Sequence, residues 1–275
     1  MVNNQVFWDT RVRRLGHAGW SDPVIYAYDQ LARLRAVDEV LRGLDIPRRR
    51  ALDFGTGTGD FAALLSRSFE HVFAFDISPA VLRVAKNRYG DLGNIQFRED
   101  SVRAWSAIDG SLDLILTVTV LDHILDADTW RAVLHQFRNR LGPDGVLLSL
   151  EYAPHTPRRS TDYQAFRTLS AWRSTGAACG LALQRAIGFH HPEESPAVSY
   201  LRYLAKLGTM RRRVLSLLIR RARLRPAEGI LRKVARDILR ETPDLLGSNA
   251  HADSPLKIMI FHRSDEAGRG REGRP

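Results

Sequence analysis

The chain has 275 residues and a mass of 31.1 kDa, with 44% hydrophobic and 26% charged residues, a composition typical of a globular protein with a sizeable core. Its single cysteine, Cys179, excludes an internal disulfide framework and a cysteine-rich zinc site. Residues 1–14 lack the apolar stretch of a signal peptide, and no run approaches the roughly 18 apolar residues of a membrane span. We therefore expect a soluble, cytoplasmic protein.

The formal net charge of +10 suggests an anionic partner, but it is unevenly distributed. Lysine occurs only at Lys86, Lys206, Lys233 and Lys257, so arginine supplies most of the positive charge. Residues 201–245 contain thirteen Lys and Arg against four Asp and Glu, a surplus of nine. A solvated helix face, recognition of an anionic substrate and contact with a membrane surface all remain open as explanations.

The first half of the chain predicts helices and strands in alternation. Asp22-Pro23 is typical of a helix N-cap followed by proline, and the periodic stretch that follows predicts a helix to Leu44. A loop over 16–21 precedes it. Further on, the pattern predicts strands over 51–54, 72–76 and 95–97, a glycine-rich turn over 55–60, and helices over 61–69 and 79–88.

The alternation continues in the second half. Residues 112–120 are almost uninterruptedly apolar, as expected of a strand buried on both faces of a parallel sheet. The pattern then predicts helices over 128–141 and 170–178, strands over 146–150, 181–187 and 256–261, helices within 193–245, and a disordered tail from 264. Strands alternating with helices indicate an α/β doubly wound, Rossmann-like fold.

The turn Gly55-Thr56-Gly57-Thr58-Gly59 lies between the first strand and the next helix, where backbone can approach a ligand closely at the positive end of a helix. Two ligand classes use such a turn. Gly57-x-Gly59-x-x-Ala62 formally satisfies the dinucleotide pattern. However, Asp53 ends the strand before the first glycine, and a carboxylate there suits a cofactor with an amino group better than one with a pyrophosphate.

Residues 52–59 resemble motif I of the class I S-adenosylmethionine-dependent methyltransferases, whose pattern is an acidic residue followed by three alternating glycines. Residues 117–124 are similar to the family's V-L-x-H-I stretch after the fourth strand. Residues 141–145 are similar to its L-x-P-G-G turn, with Asp144 in place of the first glycine. The resemblance covers about residues 50–190 and implies a mostly parallel sheet with an antiparallel last strand.

The resemblance implies S-adenosyl-L-methionine as cofactor, with its methionine part on the glycine loop. Asp76 is similar to the family's ribose-binding acid, and a carboxylate can accept hydrogen bonds from both ribose hydroxyls. Ile77 would pack on the adenine, and Asp100 is placed where the family often binds the adenine amino group. The expected cofactor-binding residues are Asp53, Gly55, Thr56, Gly57, Gly59, Asp76, Ile77, Asp100, Ser101, Thr117 and Tyr28.

Three residues are candidates for acceptor chemistry. His123 follows the fourth strand, and an imidazole, whose unperturbed pKa is about 6.5, suits a general base near neutrality, although this residue could simply support the following helix. Glu151 ends the fifth strand, where it could bind a substrate hydroxyl or amine or merely reach solvent. His17 lies in a loop that could close over the cofactor. The run 190–194 has metal-ligand residue types, but its adjacent pairs do not suit one ion, so no metal is expected.

The resemblance divides the chain into an N-terminal helical lid over 1–48, a methyltransferase core over 49–192 and 254–263, and a basic helical insertion over 193–253 that caps the acceptor site. The leading hypothesis is methyl transfer to an oxygen or nitrogen of a small molecule in specialised metabolism, with a homodimer left open. The alternatives are an RNA methyltransferase that uses the basic insertion and a quinone or lipid methyltransferase at the membrane surface. A nicotinamide oxidoreductase or a non-catalytic binding module forms a further class.

The sequence after the fourth strand argues against a nucleic-acid substrate. It contains Val-Leu-Asp-His at 120–123 rather than the proline-rich motifs of enzymes that methylate base amino groups. Cys179 follows Ala178, so the Pro-Cys nucleophile of carbon-5 base methylation is absent as well.

Overall fold

The computed structural model describes residues 4–100, 102–190, 195–209, 228–240, 245–247 and 253–264. Contacts divide the chain into two units. The first contains residues 1–18, 44–187 and 255–275, and the second contains residues 19–43 and 188–254. The predicted basic cap over 193–253 is only partly described, because 193–194, 210–227, 241–244 and 248–252 lie outside these residues, as does the predicted tail from 265 on.

The described strands form one eight-stranded sheet in the order β3-β2-β1-β4-β5-β8-β6-β7. The strands are β1 (Arg50–Phe54), β2 (His71–Asp76), β3 (Ile95–Glu99), β4 (Leu112–Val118), β5 (Leu141–Tyr152), β6 (Leu181–Phe189), β7 (Leu246–Gly247) and β8 (Leu256–Arg263). Strands β1 to β5 pair in parallel, and β8 runs antiparallel to β5. The predicted doubly wound sheet with an antiparallel last strand is therefore confirmed.

Helices alternate with the strands of the first unit. They are α1 (Asn4–Leu15), α3 (Asp60–Leu65), α4 (Pro79–Tyr89), α5 (Val102–Ser106), a 3₁₀ turn (Leu121–His123), α6 (Ala127–Arg140) and α7 (Leu169–Ala178). The side chains of Ser78, Asp126 and Thr168 accept a hydrogen bond from a backbone N–H in the first turn of the helix that each precedes. These caps fix where the helices begin, and therefore where the preceding loops turn.

Fully apolar side chains fill the space between the sheet and its helices. On one face, rings of β1, β2, α5 and α6 pack together, with Phe54 5.0 Å from Phe137 and Phe75 5.5 Å from Trp105 between ring centroids. Strand β4 is buried from Leu112 to Thr117. This core holds the carboxyl ends of β1, β2 and β4 side by side at one edge of the sheet, where the candidate site lies.

The described helices of the second unit are α2 (Pro23–Arg42), α8 (Pro196–Lys206) and α9 (Glu228–Arg240). Asp22 caps α2 by accepting hydrogen bonds from Val24 N at 2.8 Å and Ile25 N at 3.0 Å, as the sequence predicts. Within α2, a buried ion pair joins Arg33 Nε to Asp29 Oδ2 at 2.9 Å. Helices α8 and α9 both pack on α2.

Several boundaries differ from those expected. The helix predicted over 61–69 ends at Leu65, and β4 ends at Val118 because Thr119 takes a positive φ of 51°. Strand β5 begins at Leu141, five residues before its predicted start at Val146, because Leu141 already pairs with Leu112 of β4. In α8, Leu201 is 62% exposed.

Candidate active site

Three glycines shape the loop after β1. Gly55, Gly57 and Gly59 all have positive φ, at 75°, 54° and 86°. A Cβ on Gly55 would lie 2.4 Å from Val120 Cγ2, so this position has no room for a side chain. A Cβ on Gly57 would meet nothing within 4 Å. The loop is therefore packed at Gly55 and open at Gly57, where a ligand can approach the backbone.

Asp53 lies beneath this loop. It is 2% exposed, and its Oδ2 accepts a hydrogen bond from Thr56 Oγ1 at 2.6 Å. Burial raises the pKa of Asp53 to about 7, with the Thr56 hydrogen bond acting in the opposite direction. Backbone N–H groups of Gly55 and Thr56 both donate to Phe75 O at 2.8 Å. Asp53 and Thr56, both predicted as cofactor residues, thus stabilise the loop from inside.

Asp76 ends β2 and connects two segments of the site. Its Oδ2 accepts a hydrogen bond from Gly57 N at 3.0 Å, and its Oδ1 accepts one from Ser78 N at 2.9 Å. Burial raises the pKa of Asp76 to about 6, and these two hydrogen bonds act in the opposite direction. Each carboxylate oxygen keeps a second lone pair, so the group can accept further hydrogen bonds from a ligand.

The residues expected around an adenine follow β2 and β3. Ile77 is 37% exposed, so an apolar surface is accessible directly after Asp76. Asp100 N donates to Asp76 O at 2.9 Å, which places these two acidic residues side by side. The Asp100 Oδ1 atom accepts a hydrogen bond from Trp105 Nε1 at 2.8 Å, and burial raises the pKa of Asp100. Ser101 lies outside the described residues.

The turn after β4 is held by Glu151. This side chain is 0% exposed, and its Oε1 accepts hydrogen bonds from Val120 N at 2.9 Å and Leu121 N at 3.1 Å. The left-handed Thr119 directly precedes the two donors. Burial and, next, the nearby Asp122 raise the pKa of Glu151 to about 8. Glu151 was expected to reach substrate or solvent, but in the structure it faces the backbone of this turn.

His123 ends the same turn. Its Nδ1 lies 2.8 Å from Tyr163 O, and because a carbonyl oxygen only accepts, the proton is on Nδ1. Its Nε2 therefore carries the lone pair in the neutral ring and lies 3.6 Å from Asp122 Oδ1. That oxygen is buried and has no hydrogen-bond partner among the described residues. A proton bound at Nε2 would therefore lie close to the carboxylate of Asp122.

Helix α1 runs across the same edge of the sheet. At its start, Asn4 Nδ2 donates to His123 O at 2.9 Å, and the Trp8 ring lies edge-on to the His123 ring at 4.8 Å. One turn later, Asp9 Oδ1 accepts hydrogen bonds from Ser78 Oγ and from Ala80 N. Helix α1 therefore spans from the turn that carries His123 to the start of α4, beside Asp76.

A segment after β5 packs against the His123 turn. Gln164 Nε2 donates to Asp122 Oδ2 at 2.8 Å, and Ala165 N donates to Asp122 O at 2.7 Å. The Arg167 guanidinium donates to Leu121 O and Ile124 O and stacks on the Trp130 ring at 4.3 Å. Four polar contacts thus fix the backbone that positions His123.

The remaining predicted site residues are buried. Thr117 is 0% exposed, and its hydroxyl lies 2.8 Å from Ser149 Oγ. His17 is 9% exposed, and burial lowers its pKa to about 4, with Arg11 and Arg88 acting in the same direction, so it is neutral at pH 7. Tyr28 belongs to the second unit, where it is 0% exposed. The roles predicted for these three side chains remain predictions.

Sequence reasoning missed most of the contacts around the turn that carries His123. Tyr163, Gln164 and Arg167 fall in a stretch without periodicity, so no signal pointed to their contacts with the 121–124 turn. The sequence also gave no indication of the contact between Asp9 and Ser78, because these two residues are 69 positions apart.

In the part of the chain that the structure describes, no helix is long and apolar enough to cross a membrane. The described residues also contain no cluster of three or more metal-ligating side chains.

Comparison with known proteins agrees with this geometry. A sequence profile of a methyltransferase domain matches residues 51–145. The chain is 33% identical over 113 residues to a ubiquinone/menaquinone biosynthesis C-methyltransferase, UbiE, of Vibrio vulnificus, covering 39% of this chain and 42% of that protein. It is 31% identical over 134 residues to a ubiquinone biosynthesis O-methyltransferase of Methylocella silvestris, covering 42% and 52%. The chain thus spans about half the length, or less, of these relatives.

Among solved structures, a complex of DhpI with SAH superposes with a TM-score of 0.51 at 22% identity, over 66% of this chain and 87% of that one. At this identity the similarity concerns the fold. The profile match covers the glycine loop, Asp76 and the turn with His123. Profile and fold together identify residues 51–145 as a methyltransferase domain of the class I S-adenosylmethionine-dependent family.

Proposed function

We propose that the protein transfers a methyl group from S-adenosylmethionine to an oxygen or nitrogen of a small-molecule acceptor, in the cytoplasm and in specialised metabolism. The observation that carries the proposal is the Asp76 carboxylate, which is bonded to Gly57 N at 3.0 Å and retains free lone pairs beside an open glycine. Such an acceptor site suits ribose hydroxyls, which donate hydrogen bonds.

The residues present fit this cofactor. Gly57 leaves its backbone accessible, Asp76 and Asp100 lie side by side, and the exposed Ile77 offers an apolar surface beside them. We propose that these residues hold the nucleoside and that the glycine loop holds the amino-acid part. When bound, the cofactor supplies an electrophilic methyl group on a sulfonium centre. The protein then has to orient the acceptor and exclude water.

His123 fits the role of general base for a hydroxyl acceptor. Its Nδ1–H is held by Tyr163 O, which leaves Nε2 to accept a proton from the acceptor. The imidazolium so formed is stabilised by Asp122, whose Oδ1 lies 3.6 Å from Nε2. Helix α1 and the 160–167 segment cover this turn and limit the access of water. Both features favour an acceptor small enough to enter a covered site.

A second candidate acceptor is a hydroxylated quinone precursor. It is favoured by the two relatives, which are named for ubiquinone and menaquinone biosynthesis. Aromatic side chains surround His123, since Trp8 lies edge-on to its ring and Tyr163 stacks on it at 6.1 Å. An aromatic ring carrying a hydroxyl would match these surroundings. An RNA acceptor has no such observation in its favour among the described residues.

The proposal is tested by incubating the protein with methyl-labelled S-adenosylmethionine and a panel of acceptors. The panel contains hydroxylated aromatic compounds, quinols, small amines and total RNA. We expect label in the small-molecule fraction, with hydroxylated aromatics among the accepted compounds. Label confined to RNA, or cofactor binding without transfer to any small molecule in a broad panel, would contradict the proposed acceptor class.

A further inference from the structure

Helix α8 presents apolar side chains to solvent. Val198 and Leu201 are 38% and 62% exposed, and Ala205, one turn further on, is exposed as well. These three residues are separated by three and four positions, so they form a stripe along one face of the helix. The opposite face, with Ser199 and Tyr200, is the buried one. A helix normally buries its apolar stripe, so the stripe on α8 is suited to a partner other than the helices on which α8 packs.

Positive charge accompanies this apolar stripe. Arg202 and Lys206 are exposed and follow Val198 at intervals of four residues, which places both cations on the same side of α8. The outward face of α8 therefore combines branched apolar side chains with cations. An interfacial helix has this combination where it lies on an anionic lipid surface.

Helix α9 contacts α8 in the same unit and adds a basic face. Four apolar side chains of α9 are buried: Val234, Ala235, Ile238 and Leu239. Four cationic side chains are exposed on the other face: Arg232, Lys233, Arg236 and Arg240. Asp237 forms an ion pair with Arg240, with 3.5 Å between Oδ1 and Nη1. The exposed face of α9 thus keeps a net positive charge.

The sequence between the two helices has the same character. Residues 210–227 contain seven arginines and no aspartate or glutamate, and apolar residues separate the arginines into groups. Tyr203 is the single aromatic residue in the sequence from 201 to 245. Proteins that bind single-stranded nucleic acid stack the bases on aromatic rings, whereas interfacial helices combine cations with leucine and other apolar side chains. The composition therefore favours lipid over nucleic acid.

We propose that the exposed faces of α8 and α9 bind an anionic membrane surface. Val198 and Leu201 enter the headgroup region, and the cations of both helices contact the lipid phosphates. Each Lys or Arg near an anionic bilayer strengthens the attraction, and an exposed leucine that leaves water strengthens it further. The inference goes beyond methyl transfer and does not depend on it.

Two other occupants of this surface make different demands on it. An RNA would use the cations of α8 and α9 but would gain nothing from Leu201. A second copy of the chain would bring the same basic faces together, and their like charges would repel. Leu201 and the cations of α9 are therefore the positions at which a lipid surface can be distinguished from these alternatives.

The experiment is flotation of the full-length protein with lipid vesicles. One set of vesicles is phosphatidylcholine alone, and the other contains about 30% phosphatidylglycerol, which supplies the negative charge. The wild type is compared with Leu201→Gln and with the double variant Arg232→Gln/Arg236→Gln. The matched controls are Leu92→Gln, at a leucine that is 38% exposed in the first unit, and Arg35→Gln/Arg67→Gln, at two exposed arginines outside α8 and α9.

We expect the wild type to float with the anionic vesicles and to bind phosphatidylcholine weakly. Leu201→Gln should weaken binding about three- to tenfold, because an apolar side chain no longer leaves water. Loss of the two arginines should weaken binding about tenfold or more, and added salt should weaken the remaining binding further. Both controls should bind within about twofold of the wild type, a difference of less than about 0.5 kcal/mol.

Three results would overturn the proposal. One is equal binding of the wild type to neutral and anionic vesicles, and another is binding by Leu201→Gln as tight as that of the wild type. The third is a labelled RNA that binds more tightly than the anionic vesicles and equally well to the wild type and Leu201→Gln, which would assign the basic faces to nucleic acid. Failure to transfer a methyl group would contradict the proposed function alone, because the flotation needs no cofactor or acceptor.

Discussion

The Asp76 carboxylate accepts a hydrogen bond from Gly57 N at 3.0 Å, which joins the end of β2 to the glycine loop after β1. The second oxygen of the same carboxylate accepts from Ser78 N, at the N-cap of α4. One side chain therefore fixes two backbone segments of the proposed cofactor site. It also remains able to accept hydrogen bonds from a ligand.

Replacing Asp76 should weaken cofactor binding more than it changes the fold. For Asp76→Ala we expect S-adenosylhomocysteine to bind about 1–3 kcal/mol more weakly, the range for losing charged hydrogen bonds. Asp76→Asn should lie between the alanine variant and the wild type, because the amide keeps one accepting oxygen. Isothermal titration calorimetry measures both, with Glu70→Ala as the exposed control. An affinity unchanged in Asp76→Ala would remove Asp76 from the site.

Gly55 and Gly93 offer a matched pair of glycine-to-alanine changes. Gly55→Ala imposes a positive φ of 75° on alanine and a clash with Val120, and we expect a destabilisation of about 2–4 kcal/mol. Gly93→Ala meets nothing within 4 Å and should change the free energy of unfolding by less than about 0.5 kcal/mol. Urea unfolding compares the two. Equal stability of the two variants would show that Gly55 does not require glycine.

His123→Gln tests the proposed base. Once an accepted hydroxyl compound is known, the variant should lose about 10²–10⁴-fold in kcat, the usual contribution of general base catalysis. Its affinity for S-adenosylhomocysteine should stay within about twofold of the wild type, a difference of less than about 0.5 kcal/mol. His135→Gln, on the exposed face of α6, is the control. A full rate in His123→Gln would assign this histidine to holding the turn.

The buried Asp53 makes stability depend on pH in a defined direction. Because its pKa is raised to about 7 in the folded protein, the folded state binds more protons than the unfolded state between about pH 4 and pH 7. The contribution of Asp53 to stability therefore falls as pH rises through this window. His17, with its lowered pKa, contributes in the opposite direction between about pH 4 and pH 6.5, so a single curve mixes the two.

The variant Asp53→Asn isolates this effect. Relative to the wild type, it should gain about 2–3 kcal/mol in the free energy of unfolding between pH 5 and pH 7.5. Asp91→Asn, which changes an exposed carboxylate, should show no such trend. Denaturant unfolding at a series of pH values gives the difference. A difference that stays constant with pH would mean that Asp53 is ionised across the range.

The sequence predicts the part of the candidate site around the glycine loop better than the part around His123. Asp53, the three glycines and Asp76 lie within 24 residues, in elements whose period and turns are local, and the structure brings them together at one edge of the sheet. The contacts of His123 depend on Asn4 and Tyr163, which come from two distant segments. Such contacts arise from packing, for which no local pattern exists.

Glu151 shows the same limit for a single residue. Its place at the end of β5 follows from the apolar strand before it, and that place suggests access to substrate. The direction of its side chain is set by the free N–H groups of Val120 and Leu121, which appear only because Thr119 leaves the strand at a positive φ. The local sequence, a run of valines and threonines, does not indicate that the strand ends there.

The most direct test of the account is titration of the wild-type protein with S-adenosylhomocysteine and, separately, with NAD. The glycine loop and the ribose-binding position of Asp76 formally allow either ligand, whereas the carboxylate of Asp53 before the first glycine favours a ligand with an amino group over one with a pyrophosphate. We expect saturable, one-to-one binding of S-adenosylhomocysteine and no detectable binding of NAD. Binding of NAD without binding of S-adenosylhomocysteine would contradict the central claim.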